Sequence, residues 1–106
     1  MDTSDARSSA RYPIAAEAVC RTAAVKLTAM VSNLSADGCC LTTGWQQLMP
    51  GQRLTVRIGD LDGLPAQVCW VDGLRAGVAF ERSLYGPVLD HLVEQHGLFA
   101  SMTIDI

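Results

Sequence analysis

Apolar and polar residues alternate with a period of two in several stretches of this chain. The clearest case is 52–58, where Leu54, Val56 and Ile58 are each followed or preceded by a polar residue. Successive side chains of a β-strand point to opposite faces of a sheet, so this pattern predicts a strand with one face in a core and the other in water. Segments rich in glycine and polar residues separate the stretches, as expected of turns. The predicted strands are 15–21, 25–31, 39–43, 52–58, 66–71 and 75–80.

Six short strands at this spacing predict a mostly β fold, a small six-stranded antiparallel barrel that closes its own edges. The first stretch has a second interpretation, because the alanines of 15–21 are equally compatible with a helix. Asp72 and Gly73 predict a hairpin turn between the last two strands, since Asp-Gly is a favoured turn dipeptide. Strict alternation puts Trp70 on one face with Ala66 and Val68, and core packing is its preferred interpretation.

The period changes after the strands. In 83–96 the apolar residues recur at helical spacing, Pro87 suits a first helical turn, and Gly97 suits a C-terminal cap. One amphipathic helix cannot bury its apolar face alone, so we expect it to lie against the barrel or one of its mouths. Apolar residues alternate again in 98–106, which suits an added strand, pairing with a second copy, or docking on a partner. The apolar helix positions are Leu84, Val88, Leu89, Leu92 and Val93.

Length and composition indicate one globular domain. The chain has 106 residues, of which 49% are hydrophobic and 18% are charged. Its net charge of −3 excludes a generally basic nucleic-acid binder, and no DNA partner is expected. The charge is uneven, because 1–57 carry more basic than acidic residues and the rest carries the acidic excess, so a small anion would prefer the N-terminal half. No apolar run reaches a membrane span and no signal-peptide pattern is present, which predicts a cytoplasmic protein without membrane insertion.

The cysteines and the motif content favour no enzyme. The chain has four cysteines without a CxxC pair or a Cys/His cluster, so neither a metal site nor a disulfide is favoured. Cys39 and Cys40 are adjacent and would point to opposite faces of a strand, as buried thiols do. Motifs such as GxSxG, HExxH and the P-loop do not occur, and His91 and His96 are too isolated for catalysis. A thiol enzyme remains an alternative, which alkylation would inactivate.

A polar turn, Asn33 to Gly38, joins the second and third predicted strands. Asn33 and Ser35 stand two residues apart, so in extended chain their polar ends would project to one side. Gly38 would then let a flat ligand approach the main chain. Ordinary capping of the turn is the alternative role of Asn33 and Ser35.

Two arginines lie in a polar leader, 1–12, which is expected to be flexible without a ligand. Arg7 and Arg11 are four residues apart, and two guanidinium groups at this spacing can close on one anion. Tyr12 and Pro13 follow, and proline makes them a rigid hinge into the first strand. The alternative interpretation of both arginines is a solvated tail.

Three segments together resemble one protein family. RSSAR at 7–11 and NLSADG at 33–38 match the RxxxR and (D/N)xSxxG signatures of the PilZ domain, a bacterial receptor module for cyclic di-GMP, and VCWVDGLRAGVAFE at 68–81 is similar to its closing hairpin. The resemblance implies a PilZ-type β-barrel with one C-terminal helix. We therefore expect a leader at 1–12, the barrel and helix at 13–97, and a tail at 98–106.

The resemblance also implies a set of ligand-binding residues. Arg7 and Arg11 would bind phosphate and guanine edges, Asn33 and Ser35 would contact a guanine, and Gly38 would keep the strand start clear of a side chain. Asn33 replaces the aspartate that is frequent in the family, which keeps an acceptor but loses the strength of a carboxylate. Trp70 is a candidate stacking surface, since PilZ domains can carry an aromatic residue on this hairpin.

The function implied is a cyclic di-GMP receptor without catalysis, cofactor or metal. The leader would become ordered when the nucleotide binds, and the signal would pass to an unidentified downstream protein. The alternative is a PilZ-like adaptor that binds proteins and has weak or no affinity for the nucleotide.

Overall fold

The computed structural model describes residues 10–44 and 48–98, and within them it contains six strands. The predicted strands are confirmed, and the first stretch is a strand rather than a helix. Two predicted segments lie outside the described residues: most of the leader, 1–9, which includes Arg7, and the tail from 99 to 106. The strands are β1 Ala16–Arg21, β2 Lys26–Ser32, β3 Gly38–Thr43, β4 Arg53–Ile58, β5 Leu64–Asp72 and β6 Arg75–Phe80.

The strands form a closed barrel in the order β1-β2-β3-β6-β5-β4, and each neighbouring pair is antiparallel. One residue in two along each strand points into the barrel and joins one core cluster. The inward residues of β1 are small, Ala16, Ala18 and Cys20, and all three are buried. A narrow barrel has room for small side chains beside large ones, which explains why an alanine-rich stretch adopts a strand here.

The predicted helix is present as α1, Gly86–His96, with Pro87 in its first turn. It begins three residues later than predicted from 83, because the chain before it is held elsewhere: the Leu84 N–H donates to the Ala36 carbonyl at 2.7 Å. Gly97 follows the helix in an extended conformation, with φ −66°, rather than in the left-handed one typical of glycine caps.

The helix covers the end of the barrel at which β6 stops. Leu92 is 2% exposed and belongs to the same core cluster as Ile14, Leu34 and Leu84, which come from three different connecting segments. The expectation that α1 lies against the barrel or one of its mouths is therefore confirmed. Within the described residues, no helix is long and apolar enough to cross a membrane.

The segment between Arg11 and β1 is paired on both sides. Tyr12 forms an isolated antiparallel bridge with Leu34 of the polar turn, and Ile14 forms one with Gly97 at the end of α1. Two further bonds reinforce the second bridge, from the Ala15 N–H to the His96 carbonyl and from the Leu98 N–H to the Pro13 carbonyl. The segment thus connects the polar turn to the C-terminal end of the helix.

The alternation of β5 breaks in the middle of the strand. A bulge lies between Val68, which pairs with Val78, and Trp70, which pairs with Gly77. The extra residue moves Trp70 to the outer face, where it is 45% exposed. The prediction that Trp70 packs in the core is wrong, because strict alternation does not foresee a bulge.

Candidate functional site

The first part of the site is a corner at which the leader meets the polar turn. The Tyr12 N–H donates to the Leu34 carbonyl at 2.8 Å, and the Leu34 N–H donates to the Tyr12 carbonyl at 3.0 Å. This pairing brings Arg11 and Asn33, which immediately precede the two bonded residues, to the same side of the barrel. Both are exposed, and both line one shallow pocket of about 80 Å³. A cationic fork and an amide at one pocket suit a ligand with both anionic and hydrogen-bonding groups.

Ser35 does not share that surface. It is 2% exposed, and its hydroxyl accepts a hydrogen bond from the Asp37 N–H at 3.1 Å and donates one to the Gly38 carbonyl at 3.3 Å. Asn33 has φ 53°, in the left-handed region, so the chain turns between the two residues. The prediction that Asn33 and Ser35 project to one side is therefore wrong, since it assumed extended backbone.

Gly38 is needed for a close approach of two strands. It is buried at the start of β3, and a Cβ placed on it would overlap the carbonyl oxygen of Val78 in β6. The sequence suggested that a missing side chain here leaves room for a ligand. The space that a side chain would fill is instead occupied by the backbone of the neighbouring strand.

The polar turn is also bound to the chain that follows β6. The Phe80 N–H donates to the Asp37 carbonyl at 2.8 Å, and the Ser83 hydroxyl donates to the Asp37 carboxylate. The Leu84 N–H also donates to the Ala36 carbonyl, so the turn is bonded to the chain after β6 as well as to Tyr12. The turn that carries Asn33 is therefore hydrogen-bonded both to the leader and to the β6–α1 connection.

The second part of the site is an aromatic shelf on the outer face of β5 and β6. The Trp70 indole lies over Gly77, so closely that a Cβ on Gly77 would overlap the ring. Cys40 of β3 and Trp70 of β5 both pair with Gly77 and form a row across three strands. The Arg75 guanidinium contacts two residues of this row. Its carbon lies 6.0 Å from the centroid of the Trp70 ring, and one of its nitrogens donates to the Cys40 sulfur at 3.7 Å.

Both parts belong to one surface, because Trp70, Gly77 and Cys40 line the same pocket as Arg11 and Asn33. The sequence-based search identified Arg11, Asn33 and Trp70 but missed Gly77 and Arg75. Gly77 interrupts an otherwise regular strand, and such a glycine signals a close approach. The glycine in the strand could therefore have been used to predict a close approach at this position. That the approaching group is the Trp70 ring depends on the bulge in β5, which the sequence does not show.

The buried cysteines are poor candidates for thiol chemistry. Burial raises the pKa of the Cys20 thiol to about 11. Burial, and then the neighbouring Cys20 and Cys40, raises the pKa of Cys39 to about 12. A thiol with such a pKa stays protonated at neutral pH and is a weak nucleophile. Among the described residues, no group of three or more His, Cys, Asp or Glu side chains is placed to hold a metal ion.

The fold is a small closed β-barrel, and the candidate site lies on its outer wall. A family-model match to the PilZ domain extends over residues 5–95, so the chain belongs to the PilZ family. This is in general a family of cyclic di-GMP receptors, whose domains are binding modules rather than enzymes.

A solved structure supports the same fold. The chain is similar to the crystal structure of the PilZ domain of CeSA from a cellulose-synthesizing bacterium, with a TM-score of 0.56 and 18% sequence identity. The similarity covers 80% of this chain and 91% of that one. A search of the curated proteins finds no match to this chain.

Proposed function

We propose that this protein is a bacterial, cytoplasmic receptor that binds cyclic di-GMP on the outer face of the barrel. The observation that supports it most is the pairing of Tyr12 with Leu34, beside which Arg11 and Asn33 line one pocket with Trp70. The ligand carries two phosphates and two guanines, which call for cationic forks, hydrogen-bonding groups and a stacking surface. Arg11, Asn33 and Trp70 offer one of each.

Each site residue has a role in the proposal. Arg7 and Arg11 bind phosphate and the guanine edge, Asn33 hydrogen-bonds a guanine, and Trp70 stacks on a base. Ser35 and Gly38 contribute through the shape of the turn that carries Asn33, since the Ser35 hydroxyl is engaged within that turn.

Ligand binding orders the leader in this proposal. The arginines gain charge-assisted hydrogen bonds that exist only in the bound state, which favours a closed leader. The segment 12–15 is paired both with the polar turn and with the end of α1. A change in the leader is thereby passed to a surface that a downstream protein can read.

Calorimetric titration with cyclic di-GMP tests the proposal. We expect the wild type to bind and the double variant Arg7→Ala/Arg11→Ala to lose at least tenfold in affinity, because each fork supplies charge-assisted contacts. Arg57→Ala is the matched control: Arg57 is exposed on β4, which lies opposite β3 in the barrel order. Equal affinity of the double variant and the wild type would remove the arginines from the site.

A second candidate function is an adaptor that docks proteins and binds the nucleotide weakly or not at all. An apolar groove of about 280 Å³ favours it, with Leu64, Leu84, Val88 and the 74% exposed Tyr85 in its lining. Amide NMR spectra with and without cyclic di-GMP distinguish the two. Shifts around Arg7, Arg11 and the 33–38 turn support the receptor, and an unchanged spectrum supports the adaptor.

A further inference from the structure

Arg75 lies beside the proposed nucleotide surface but belongs to neither of the two sequence signatures. It is the first residue of β6 and pairs with Thr42 of β3 and Asp72 of β5. The row formed by Cys40, Gly77 and Trp70 lies two residues further along the same three strands. The Arg75 side chain therefore extends from its own row over the next one, towards the pocket.

The contacts of the Arg75 guanidinium are ones that a ligand can replace. One is a cation–π approach, 6.0 Å from the Trp70 ring centroid, and the other is a 3.7 Å hydrogen bond to the Cys40 sulfur. An exposed cation–π pair contributes little to stability, and a thiol is a weak acceptor. A guanidinium group has five N–H donors, so these two contacts use only part of its capacity.

A base stacked on Trp70 would meet this guanidinium at its edge. The ring of such a base takes the place over the indole that Arg75 now approaches, which moves the guanidinium to the rim of the base. Guanine presents two acceptors, O6 and N7, that match an arginine fork, whereas adenine presents N7 beside an amino donor. The same arginine thus favours one purine and disfavours the other.

We propose that Arg75 contributes to the base specificity of this surface by donating a bidentate pair of hydrogen bonds to the O6/N7 edge of a guanine stacked on Trp70. The inference rests on the proposed function and adds to it a further residue that distinguishes guanine from adenine. Arg7 and Arg11 are proposed to contact the phosphates, which every cyclic dinucleotide shares, as well as a guanine edge, so Arg75 adds discrimination at the base that stacks on Trp70.

The experiment compares two cyclic dinucleotides on the full chain. Trp45→Phe makes Trp70 the only tryptophan, since the chain has two, and its fluorescence then reports stacking on the shelf. Cyclic di-GMP and cyclic di-AMP are titrated against this parent and against the parent carrying Arg75→Ala or Arg75→Met, because methionine keeps an apolar stem and has no N–H donor. We expect the parent to prefer cyclic di-GMP and both variants to lose about tenfold of that preference, the usual scale of one bidentate contact.

Arg57→Ala in the same parent is the control and should keep both the affinity and the preference. Far-ultraviolet circular dichroism verifies that the Arg75 variants are folded, and agreement between the alanine and methionine variants separates loss of the fork from loss of packing. An unchanged preference in the folded variants overturns the role of Arg75 while leaving the receptor in place. A parent that binds neither dinucleotide overturns the proposed function, and the inference with it.

Discussion

Two glycines shape the candidate site by making room for other groups. Gly38 admits the backbone of β6 beside the polar turn, and Gly77 admits the indole of Trp70 onto the outer wall. Neither has the positive φ that usually explains a required glycine. Both glycines are required for steric reasons. Gly38 leaves room for the backbone of Val78, and Gly77 leaves room for the ring of Trp70.

Gly38→Ala should destabilise the protein by about 2 kcal/mol, because the added methyl group overlaps the Val78 carbonyl and forces β3 away from β6. Urea unfolding followed by circular dichroism measures the change. Gly44→Ala is the matched control: apart from its own chain neighbours no atom lies within 4 Å of its added Cβ, and Gly44 has no positive φ. A Gly→Ala change at such a position stabilises or is neutral. Equal stability of the two variants would contradict the proposed clash.

Among the elements, α1 has the clearest structural task, which is to close one end of the barrel. Its buried residue Leu92 belongs to the core cluster that includes Ile14 and Leu34, and the chain at its two ends is connected to both neighbouring segments, through Gly97 to Ile14 and through Leu84 to Ala36 of the polar turn. Half-buried Val88 and Leu89 pack against the same cluster. The helix therefore stabilises the corner that carries Asn33 without contributing a side chain to the pocket.

Leu92→Ala should cost about 3 kcal/mol of stability, because it leaves a cavity between the helix and the barrel mouth. Leu74→Ala is the control: Leu74 is 41% exposed in the β5–β6 turn, and its truncation should change stability by less than about 0.5 kcal/mol. Urea midpoints at constant slope compare the two variants. A Leu92 variant as stable as the Leu74 variant would show that α1 does not close the barrel.

At the scale of the whole molecule, the leader segment, the polar turn and the end of α1 form one continuous hydrogen-bonded connection. Tyr12 pairs with Leu34, and Ile14 pairs with Gly97. Under the proposed function, a ligand bound at Arg11 and Asn33 would span two of these segments and stabilise only the folded arrangement. We therefore expect ligand binding to raise the global stability.

Cyclic di-GMP at about one hundred times its dissociation constant should raise the melting temperature by about 10 °C, because binding to the native state alone contributes about 2.7 kcal/mol. Differential scanning calorimetry measures the shift. The rise should diminish with added salt, since phosphate contacts of exposed arginines are screened. At the same concentration Arg7→Ala/Arg11→Ala should show about half of this shift or less, since a tenfold loss of affinity leaves about 1.4 kcal/mol, and a shift as large as that of the wild type would mean that the nucleotide binds elsewhere.

Much of the architecture was predictable because it depends on local patterns. The six strands and the helix follow from periods of two and of 3.6 residues, and Arg11, Asn33 and Trp70 were identified by residue type and position. The orientation of Ser35 was not predictable, since the left-handed φ of Asn33 changes the direction of the chain and turns the Ser35 side chain into the interior. The exposure of Trp70 was equally hidden, since a bulge is determined by pairing with β6 and leaves no mark in the alternation.

Local patterns in the amino-acid sequence specify which segments are strands, which face of most strands is apolar, and which polar residues lie near the N-terminus and in the turn. These properties depend on neighbours within a few positions along the chain. The tertiary structure alone decided that Arg11 lies beside Asn33, that Trp70 rests on Gly77, and that Arg75 reaches over the same shelf. Those relations depend on which strands pair and in what register. Arg11 and Asn33 meet through pairing between segments distant in sequence, and the bulge in β5 sets the hairpin register that places Trp70 against Gly77.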